Sequence, residues 1–171
     1  MKNIEIKLRL FNFQKVKSLL KKIGGKEEGV LKQTDTYFNC QNGRLKLREI
    51  NNRNFELISY QRAEIKGPKI SDIKILELDK HQVMVIKNIL IKALGIKIIV
   101  KKERNLWIYK HTRIHFDRVS KLGKFLELET VMRDIDYERA KKEHQKIINL
   151  LNICQYKRIS KSYSDLVESL K

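Results

Sequence analysis

The sequence predicts an α+β fold in which helices pack on an antiparallel β-sheet. Many short segments alternate between polar and apolar residues, which is the two-residue period of a strand with two unlike faces. These segments follow one another as hairpins, and only a few helical segments interrupt them, so a parallel βαβ series is not expected. Because 171 residues is a typical domain length, we expect residues 1–171 to form a single domain.

Turn and cap residues divide the first half of the chain into strands and one helix. Residues 13–23 repeat apolar residues at helical spacing, and Gly24 supplies the left-handed residue that commonly ends a helix. Asn42-Gly43 lies between two strand-like segments and predicts a hairpin turn. The strands predicted in this half are residues 3–10, 33–39, 44–50, 55–62 and 73–78, with a loop over 63–72.

The second half has the same hairpin character. Residues 81–94 have helical spacing, and a second long helix is predicted over 137–151 with Asp134 or Asp136 as its N-cap. A short amphipathic helix is expected to begin at Ser164. The strands predicted in this half are residues 96–104, 106–109, 112–118 and 124–132.

The composition limits the functional classes. Lys and Arg number 38 against 20 Asp and Glu, and the resulting net charge of +18 indicates an anionic partner or a composition biased toward lysine. We favour a small anion over nucleic acid as that partner. No apolar segment approaches the roughly 18 residues of a membrane-spanning helix, so no membrane association is expected. Cys40 and Cys154 lack metal-ligand spacing, which favours reduced thiols and a cytoplasmic protein.

The alternation leaves open which strand face meets water. An open sheet would turn its charged face to bulk solvent. The predicted helices, however, must pack their apolar stripes on something, and the apolar strand faces are the obvious partner. The charged faces would then meet across a closed sheet with a hydrated interior, which also removes exposed strand edges.

Charged side chains on the strand faces are grouped rather than mixed. Glu127 and Glu129 share one strand face, and Asp117 shares a face with Arg113 and His115 on the strand before it. Carboxylates and cations that converge on one interior would be stabilised by a polyphosphate with a divalent metal ion, because carboxylates bind the metal and cations bind phosphate oxygens. The cations grouped on the other strand faces are Lys7, Arg9, Arg44, Lys46, Arg48, Lys102 and Arg104.

Six motifs in this order resemble the CYTH superfamily, the triphosphate tunnel enzymes that include class IV adenylyl cyclases, thiamine triphosphatases and inorganic triphosphatases. The family's opening Glu-x-Glu-x-Lys is similar to Asn-Ile-Glu-Ile-Lys at residues 3–7. The most specific match covers residues 113–129, with Asp117, Glu127 and Glu129. The other similar segments are residues 44–49, 60–62, 102–104 and 161–166.

The resemblance implies an eight-stranded antiparallel β-barrel, the triphosphate tunnel, with helices packed outside. It implies a metal-dependent enzyme that binds Mg²⁺ or Mn²⁺ and a small triphosphate, and in which catalysis consists mainly of positioning and electrostatics. The implied metal ligands are Glu5, Asp117, Glu127 and Glu129. The implied catalytic cations that grip the triphosphate are Lys7, Arg48, Arg62, Lys102 and Arg104. Second-tier substrate-binding candidates are Arg9, Lys46, Arg113 and Lys161.

One departure from the family and three functions stay open at this stage. Asn3 stands where the family motif has its first Glu, and a neutral amide weakens any second metal site. The first function is hydrolysis of tripolyphosphate, thiamine triphosphate or a nucleoside triphosphate. The second is an adenylyl cyclase that converts ATP to cyclic AMP, and the third is a non-catalytic binder of polyphosphate or of the 5′-triphosphate end of RNA. The sequence leaves the oligomeric state open, with a homodimer through the exterior helices as one possibility.

Overall fold

A computed structural model describes residues 3–61 and 73–170, and in this part of the chain one antiparallel sheet packs against helices. The predicted α+β class is therefore confirmed. The strands are β1 (Asn3–Arg9), β2 (Lys26–Phe38), β3 (Arg44–Ile50), β4 (Asn54–Tyr60), β5 (Ile73–Leu78), β6 (Ile96–Tyr109), β7 (Thr112–Val119) and β8 (Gly123–Val131). The helices are α1 (Gln14–Lys22), α2 (Lys80–Leu94), α3 (Tyr137–Leu150) and α4 (Tyr163–Glu168).

The sheet joins the two ends of the chain. Its eight strands run in the order β1-β8-β7-β6-β2-β3-β4-β5, and every neighbouring pair is antiparallel. Two pairings are long-range: β1 pairs with β8, and β2 pairs with β6, which connects the two hairpin series. At the outer edge of β1, the Ile159 amide donates to the Lys7 carbonyl at 2.8 Å, so the C-terminal segment covers this edge.

Strand β6 corrects one prediction. Residues 96–104 and 106–109 were expected as two strands because polar Asn105 separates them, but they form one continuous strand. Asn105 is accommodated because its amide donates to the Glu27 carboxylate at 2.6 Å and to the Gly29 carbonyl at 3.3 Å, at a bulge in β2. The same pairing with β6 lets β2 begin at Lys26, earlier than the predicted residue 33.

Three helices cover the apolar face of the sheet, as the sequence predicts. Helices α1 and α3 pack on the β1-β8-β7-β6 half, around buried Leu20, Trp107 and Ile147. Helix α2 packs on the other half, against Phe38 and Leu47. Among the described residues, no helix has the length and apolarity that a bilayer span requires.

Cap residues fix the helix starts. Of the two N-caps predicted for α3, the structure uses Asp136, whose carboxylate accepts from the Arg139 amide at 2.8 Å. Helix α4 begins at Tyr163, one residue earlier than predicted, because the Ser162 hydroxyl caps it by accepting from the Asp165 amide at 3.2 Å. A side-chain cap of this kind satisfies a backbone donor that the helix itself leaves unpaired.

Helix α4 lies on the opposite side of the sheet from the other helices and shows that the sheet is strongly curved. Its N-terminal segment, residues 161–165, is contacted both by Lys7 of β1 and by Arg44 of β3. These two strands stand five positions apart in the sheet order, which is about 24 Å in a flat sheet at a spacing of about 4.8 Å. One segment of five residues meets both, so this face of the sheet is concave.

Candidate active site

The concave face carries the charged side chains and is called the ionic face below. Strand register alone puts them on one side, because Lys7 lies opposite Glu127, Arg104 opposite Asp117 and Arg48 opposite Asp35. Residues directly opposite each other in a sheet point to the same face. The predicted convergence of charged groups is therefore present, and it forms two ion clusters.

The first ion cluster consists of Lys7, Arg104, Asp117 and Glu127. Arg104 donates to Asp117 at 2.8 Å and 2.6 Å, and one of its nitrogens also lies 2.6 Å from Glu127. Lys7 Nζ lies 3.1 Å from the other Glu127 oxygen. The cluster contains two cations and two carboxylates, so it is balanced in charge.

Burial and ion pairing shift the pKa values of this cluster in opposite directions, and the effect of ion pairing is the larger one. Burial alone would raise the pKa of Glu127, but Lys7 and Arg104 hold it well below its ordinary value. Burial alone would lower the pKa of Arg104, but Asp117 and Glu127 raise it well above its ordinary value. Glu127 and Arg104 are therefore charged at neutral pH, and removal of either one leaves a partner unpaired in a poorly hydrated place.

The second ion cluster consists of Asp35, Lys46, Arg48 and Lys102. Asp35 accepts from Arg48 at 2.7 Å and 3.0 Å and from Lys46 at 3.1 Å. Lys102 Nζ lies 3.7 Å from the same carboxylate. Three cations share one carboxylate, so this cluster has an excess of positive charge.

The pKa values in the second cluster reflect that excess. Burial, followed by the neighbouring Arg104, lowers the pKa of Lys102 to about 7. Burial also lowers the pKa of Lys46, although Asp35 opposes the change. The pKa of Asp35 falls well below its ordinary value, because Lys46, Lys102 and Arg48 outweigh the effect of its burial.

Two further polar side chains point to the same face. Gln33 lies opposite Lys102 and His115 opposite Glu127, and each is only 5% exposed. Within residues 3–61 and 73–170, the Gln33 carbonyl oxygen and the His115 Nδ1 atom are buried without a hydrogen-bond partner. Since buried polar groups are normally paired, these two atoms are candidates for contact with a polar ligand.

Helix α4 closes one end of the ionic face. The Tyr163 hydroxyl donates to Asp117 at 2.9 Å, and Lys7 Nζ lies 4.2 Å from the centre of the Tyr163 ring. The Tyr163 ring packs edge-on against Phe125, with ring centres 5.1 Å apart. Arg44 connects β3 to this helix through Asp165 at 2.7 Å, so Arg44 has a structural contact here.

The second-tier cations lie at the margins, except Lys46, which is buried. Arg9 is exposed beside the Phe125 ring, at 5.2 Å, and Lys161 is exposed with its carbonyl accepting from Lys7 at 3.3 Å. Arg113 is also exposed, 3.9 Å from Glu129. Arg62 lies outside the described residues. The roles predicted for all these cations stay predictions.

The predicted metal ligands fall into two groups. Glu5 and Glu129 lie directly opposite each other at a more exposed part of the ionic face, whereas Asp117 and Glu127 are bound to Arg104. In the described part of the chain, no three His, Cys, Asp or Glu side chains are grouped closely enough to hold a metal ion. Two adjoining carboxylates nevertheless fit a hard divalent cation by the chemistry of their oxygens. Asn3 lies beside the Glu5 and Glu129 pair, because its amide donates a hydrogen bond to the Glu129 carboxylate.

Comparison with protein families agrees with this architecture. The family model of the CYTH domain matches residues 1–163. The chain belongs to the CYTH family. Membership of this family implies a divalent metal cofactor.

Individual CYTH relatives cover almost the whole chain. A Methanocaldococcus jannaschii protein named "putative adenylate cyclase" is 31% identical, over 95% of this chain and 97% of that protein. A Pyrococcus horikoshii structure has a TM-score of 0.80 at 23% identity, and covers 96% of this chain and 98% of that one. A Hippeastrum structure, described as a putative adenylyl cyclase with a dominant triphosphatase activity, has a TM-score of 0.71 at 16% identity, over 100% of this chain and 97% of that one.

Sequence reasoning missed two members of the site. Asp35 is not among the predicted site residues, although it joins three predicted cations, and Tyr163 was not singled out although it contacts both Asp117 and Lys7. The only signal for Asp35 is its place in a strand otherwise free of acidic residues between Gln33 and Phe38.

Proposed function

We propose that this CYTH protein is a divalent-metal-dependent triphosphatase that hydrolyses a small triphosphate such as tripolyphosphate, thiamine triphosphate or a nucleoside triphosphate. The observation that carries the proposal is the buried cation excess of the second ion cluster, beside a balanced first cluster. Buried charges are normally paired, so three basic side chains that share the Asp35 carboxylate on a concave face are suited to a multiply charged anion. The triphosphatase activity described for the Hippeastrum relative supports hydrolysis as the first choice.

We infer that the curved sheet surrounds the substrate as the eight-stranded triphosphate tunnel of the family. The shared contact of β1 and β3 with residues 161–165 supports this inference, because it requires a strongly curved sheet. A surrounded polyphosphate would meet cations from several strands at once, and a poorly hydrated interior strengthens each of these charge interactions.

Each predicted site residue then has a proposed role. A metal ion, Mg²⁺ or Mn²⁺, would be held by Glu5 and Glu129, with Asp117 and Glu127 as further carboxylates of the set. When bound, such a metal supplies charge neutralisation at the phosphate oxygens. The cations bind and orient the triphosphate, and their fixed positions stabilise the charge of the transferred phosphoryl group. Those proposed to contact phosphate are Lys7, Arg48, Arg62, Lys102 and Arg104, with Arg9, Lys46, Arg113 and Lys161 as secondary contacts.

Adenylyl cyclase activity is the second candidate function. It is favoured by the relative that is 31% identical and named "putative adenylate cyclase". The same cations and carboxylates would serve both reactions, because both position a triphosphate and stabilise charge on a phosphorus centre. The third reading, a non-catalytic binder of polyphosphate or RNA 5′-triphosphate ends, is supported by the net charge of +18.

One assay separates these functions. Purified protein is incubated with tripolyphosphate, thiamine triphosphate or ATP, each with Mg²⁺ or Mn²⁺, and orthophosphate and cyclic AMP are measured together. We expect orthophosphate release that depends on the added metal. Cyclic AMP without orthophosphate would indicate the cyclase, and tight binding without either product would indicate the binder. A control without enzyme corrects for metal-promoted hydrolysis.

Proton uptake is expected when a triphosphate binds near Lys102. The pKa of this amine is about 7 in the free protein, so at pH 8 it is mostly neutral, and a nearby phosphate would raise its pKa and protonate it. Calorimetry at pH 8 in buffers of different ionisation enthalpy should show that the wild-type protein takes up about one proton more than a Lys102→Met variant.

Lys101→Met is the matched control for that experiment. Lys101 is the exposed neighbour of Lys102 on the opposite face of β6, so its loss should leave proton uptake at the wild-type value. Equal uptake by the wild-type and Lys102→Met proteins would show that Lys102 does not change its charge when the substrate binds.

We also propose that residues 1–171 act as a single CYTH-type domain in the cytoplasm. The cytoplasmic location is supported by two exposed free cysteines, Cys40 and Cys154. Exposed thiols persist most readily in a reducing compartment.

A further inference from the structure

Asp35 is a buried carboxylate at the centre of the second ion cluster. It is only 2% exposed, and β2 holds it between β3 and β6, which carry its three cationic partners. Both of its oxygens are used, one by Arg48 Nε and the other by Arg48 Nη2 and Lys46 Nζ. The carboxylate is therefore fixed in place by strands on both sides.

The geometry leaves donors of the same cations free of Asp35. The lysine ammonium groups each have three N–H donors, and contact with one carboxylate oxygen leaves the others available. Arg48 hydrogen-bonds Asp35 through Nε and Nη2, and among the described residues the nearest carboxylate oxygen to Arg48 Nη1, on Glu56, is 3.9 Å away, too far for a good hydrogen bond. Each cation can thus keep Asp35 as a partner and present further donors to a phosphate.

We propose that Asp35 is a positioning residue for the triphosphate site: its carboxylate holds the three surrounding basic side chains side by side, so that a polyphosphate meets a preformed row of donors. This inference rests on the proposed function and deepens it, because it assigns the binding of phosphate oxygens to the second cluster and gives that cluster an internal counter-ion. Preorganisation of this kind reduces the cost of ordering side chains when the ligand binds.

Charge balance makes Asp35 necessary for the cations and not only for the fold. Two buried lysines and a partly buried arginine without Asp35 would repel one another, and the two amines would lose protons instead. Loss of Asp35 would therefore lower the protonated fraction of the two amines at neutral pH. The ionisable and charged groups that face the cluster from the packed strands and helix are Tyr37, Glu56, Tyr60, Arg104, Asp117, Glu127 and Tyr163.

The first test requires no ligand. Lysine labelled with ¹³C at Cε is titrated by NMR, and the Lys46 and Lys102 signals are assigned with Lys→Met variants. In Asp35→Asn, the pKa of both amines should fall by at least about one unit, because their nearest negative charge is removed. Glu77→Gln removes an exposed carboxylate on β5 that points to the ionic face. In this variant the pKa of both amines should keep its wild-type value. Unchanged amine titration in Asp35→Asn would overturn the proposal.

The second test measures binding. At pH 8 the affinity for tripolyphosphate should fall at least about tenfold in Asp35→Asn, because amines with a pKa lower by about one unit are harder to protonate when the anion binds, and the loss should be smaller at pH 6, where the amines regain protons. Asp35→Glu, which restores the carboxylate, should recover most of the affinity. A loss of equal size at both pH values, or no recovery in Asp35→Glu, would show a merely structural role.

Two further arrangements let these experiments decide even if Asp35→Asn does not fold or the wild-type protein binds no tripolyphosphate. If Asp35→Asn does not fold, the double variant Asp35→Asn, Lys46→Met removes one charge of each sign, and the pKa of Lys102 should still lie below its wild-type value; a wild-type value there would overturn the proposal. If the wild-type protein binds no tripolyphosphate, the proposed function fails, while the ligand-free titration still decides whether Asp35 keeps the amines charged.

Discussion

Arg104→Gln should destabilise the folded protein by about 3–5 kcal/mol, the usual cost of removing one partner from a buried ion pair. Arg104 joins Asp117 and Glu127, and its side chain is only 11% exposed. Glutamine is shorter and neutral, so Glu127 would keep its contacts to Lys7 and His115, and Asp117 would keep its contact to the Tyr163 hydroxyl. Urea unfolding at pH 7, followed by circular dichroism, measures the change in the free energy of unfolding.

Arg118→Gln is the matched control for Arg104→Gln. Arg118 lies on β7, is 60% exposed and approaches Glu103 only at 3.9 Å, so its loss should change the free energy of unfolding by less than about 0.5 kcal/mol. Similar losses in both variants would mean that the buried network does not hold the sheet together.

The effect of Arg104→Gln should also depend on pH. In the wild-type protein the pKa of Glu127 is well below its ordinary value, so this carboxylate contributes stability above pH about 4.5 that is lost as the pH falls. In the variant much of that contribution is already missing. The difference in the free energy of unfolding between the two proteins should therefore become smaller as the pH falls below about 4.5, and a constant difference there would contradict the ion-pair explanation.

Strand alternation was sufficient to predict much of the ionic face. Because side chains alternate strictly along a strand, Lys7, Arg48, Lys102 and Glu127 could be assigned to the charged faces from the sequence alone. The helices then decided which face is covered, since their apolar stripes need the aliphatic side of the sheet. This step rests on local pattern and needs no knowledge of strand order.

The pairings within the ionic face could not be predicted in the same way. That Arg104 meets Asp117 depends on the register of β6 and β7, and that Asp35 meets Lys102 depends on the long-range pairing of β2 with β6. Neither register was predicted from a local sequence pattern. The contact of Asp35 with Lys102 was missed for this reason, because only the long-range pairing brings β6 beside β2, whereas Lys46 and Arg48 lie on the other arm of the predicted hairpin.

The continuous strand β6 is a case in which the sequence pattern predicted a strand boundary that the structure does not have. Asn105 lies between the two strands predicted at 96–104 and 106–109, yet its side chain is 7% exposed and hydrogen-bonded within one continuous strand. Its amide donates to Glu27 and Gly29, and its oxygen accepts from the Trp107 indole at 2.6 Å. A polar residue that finds partners across a bulge does not end a strand, and those partners lie far away in the sequence.

Glu129→Gln should reduce triphosphate turnover by more than about 100-fold while the protein stays folded, because second-shell substitutions alone cost 10–100-fold and Glu129 is proposed as a direct metal ligand. Its carboxylate lies opposite Glu5 and is one-quarter exposed, with Asn3 and the more distant Arg113 beside it. Glutamine has the same shape and can still accept from the Asn3 amide, so the change removes charge with little disturbance of packing.

Mn²⁺ binding, measured by calorimetry without substrate, separates a lost metal ligand from a lost substrate contact. In Glu129→Gln we expect weaker Mn²⁺ binding together with the lost turnover, because a neutral amide oxygen attracts a hard cation less than a carboxylate does. Glu103→Gln is the matched control, since Glu103 is an exposed carboxylate on the opposite face of β6 and should leave Mn²⁺ binding and turnover at wild-type values. Wild-type turnover in Glu129→Gln would remove this residue from the metal site, and intact Mn²⁺ binding with lost turnover would reassign it to the substrate.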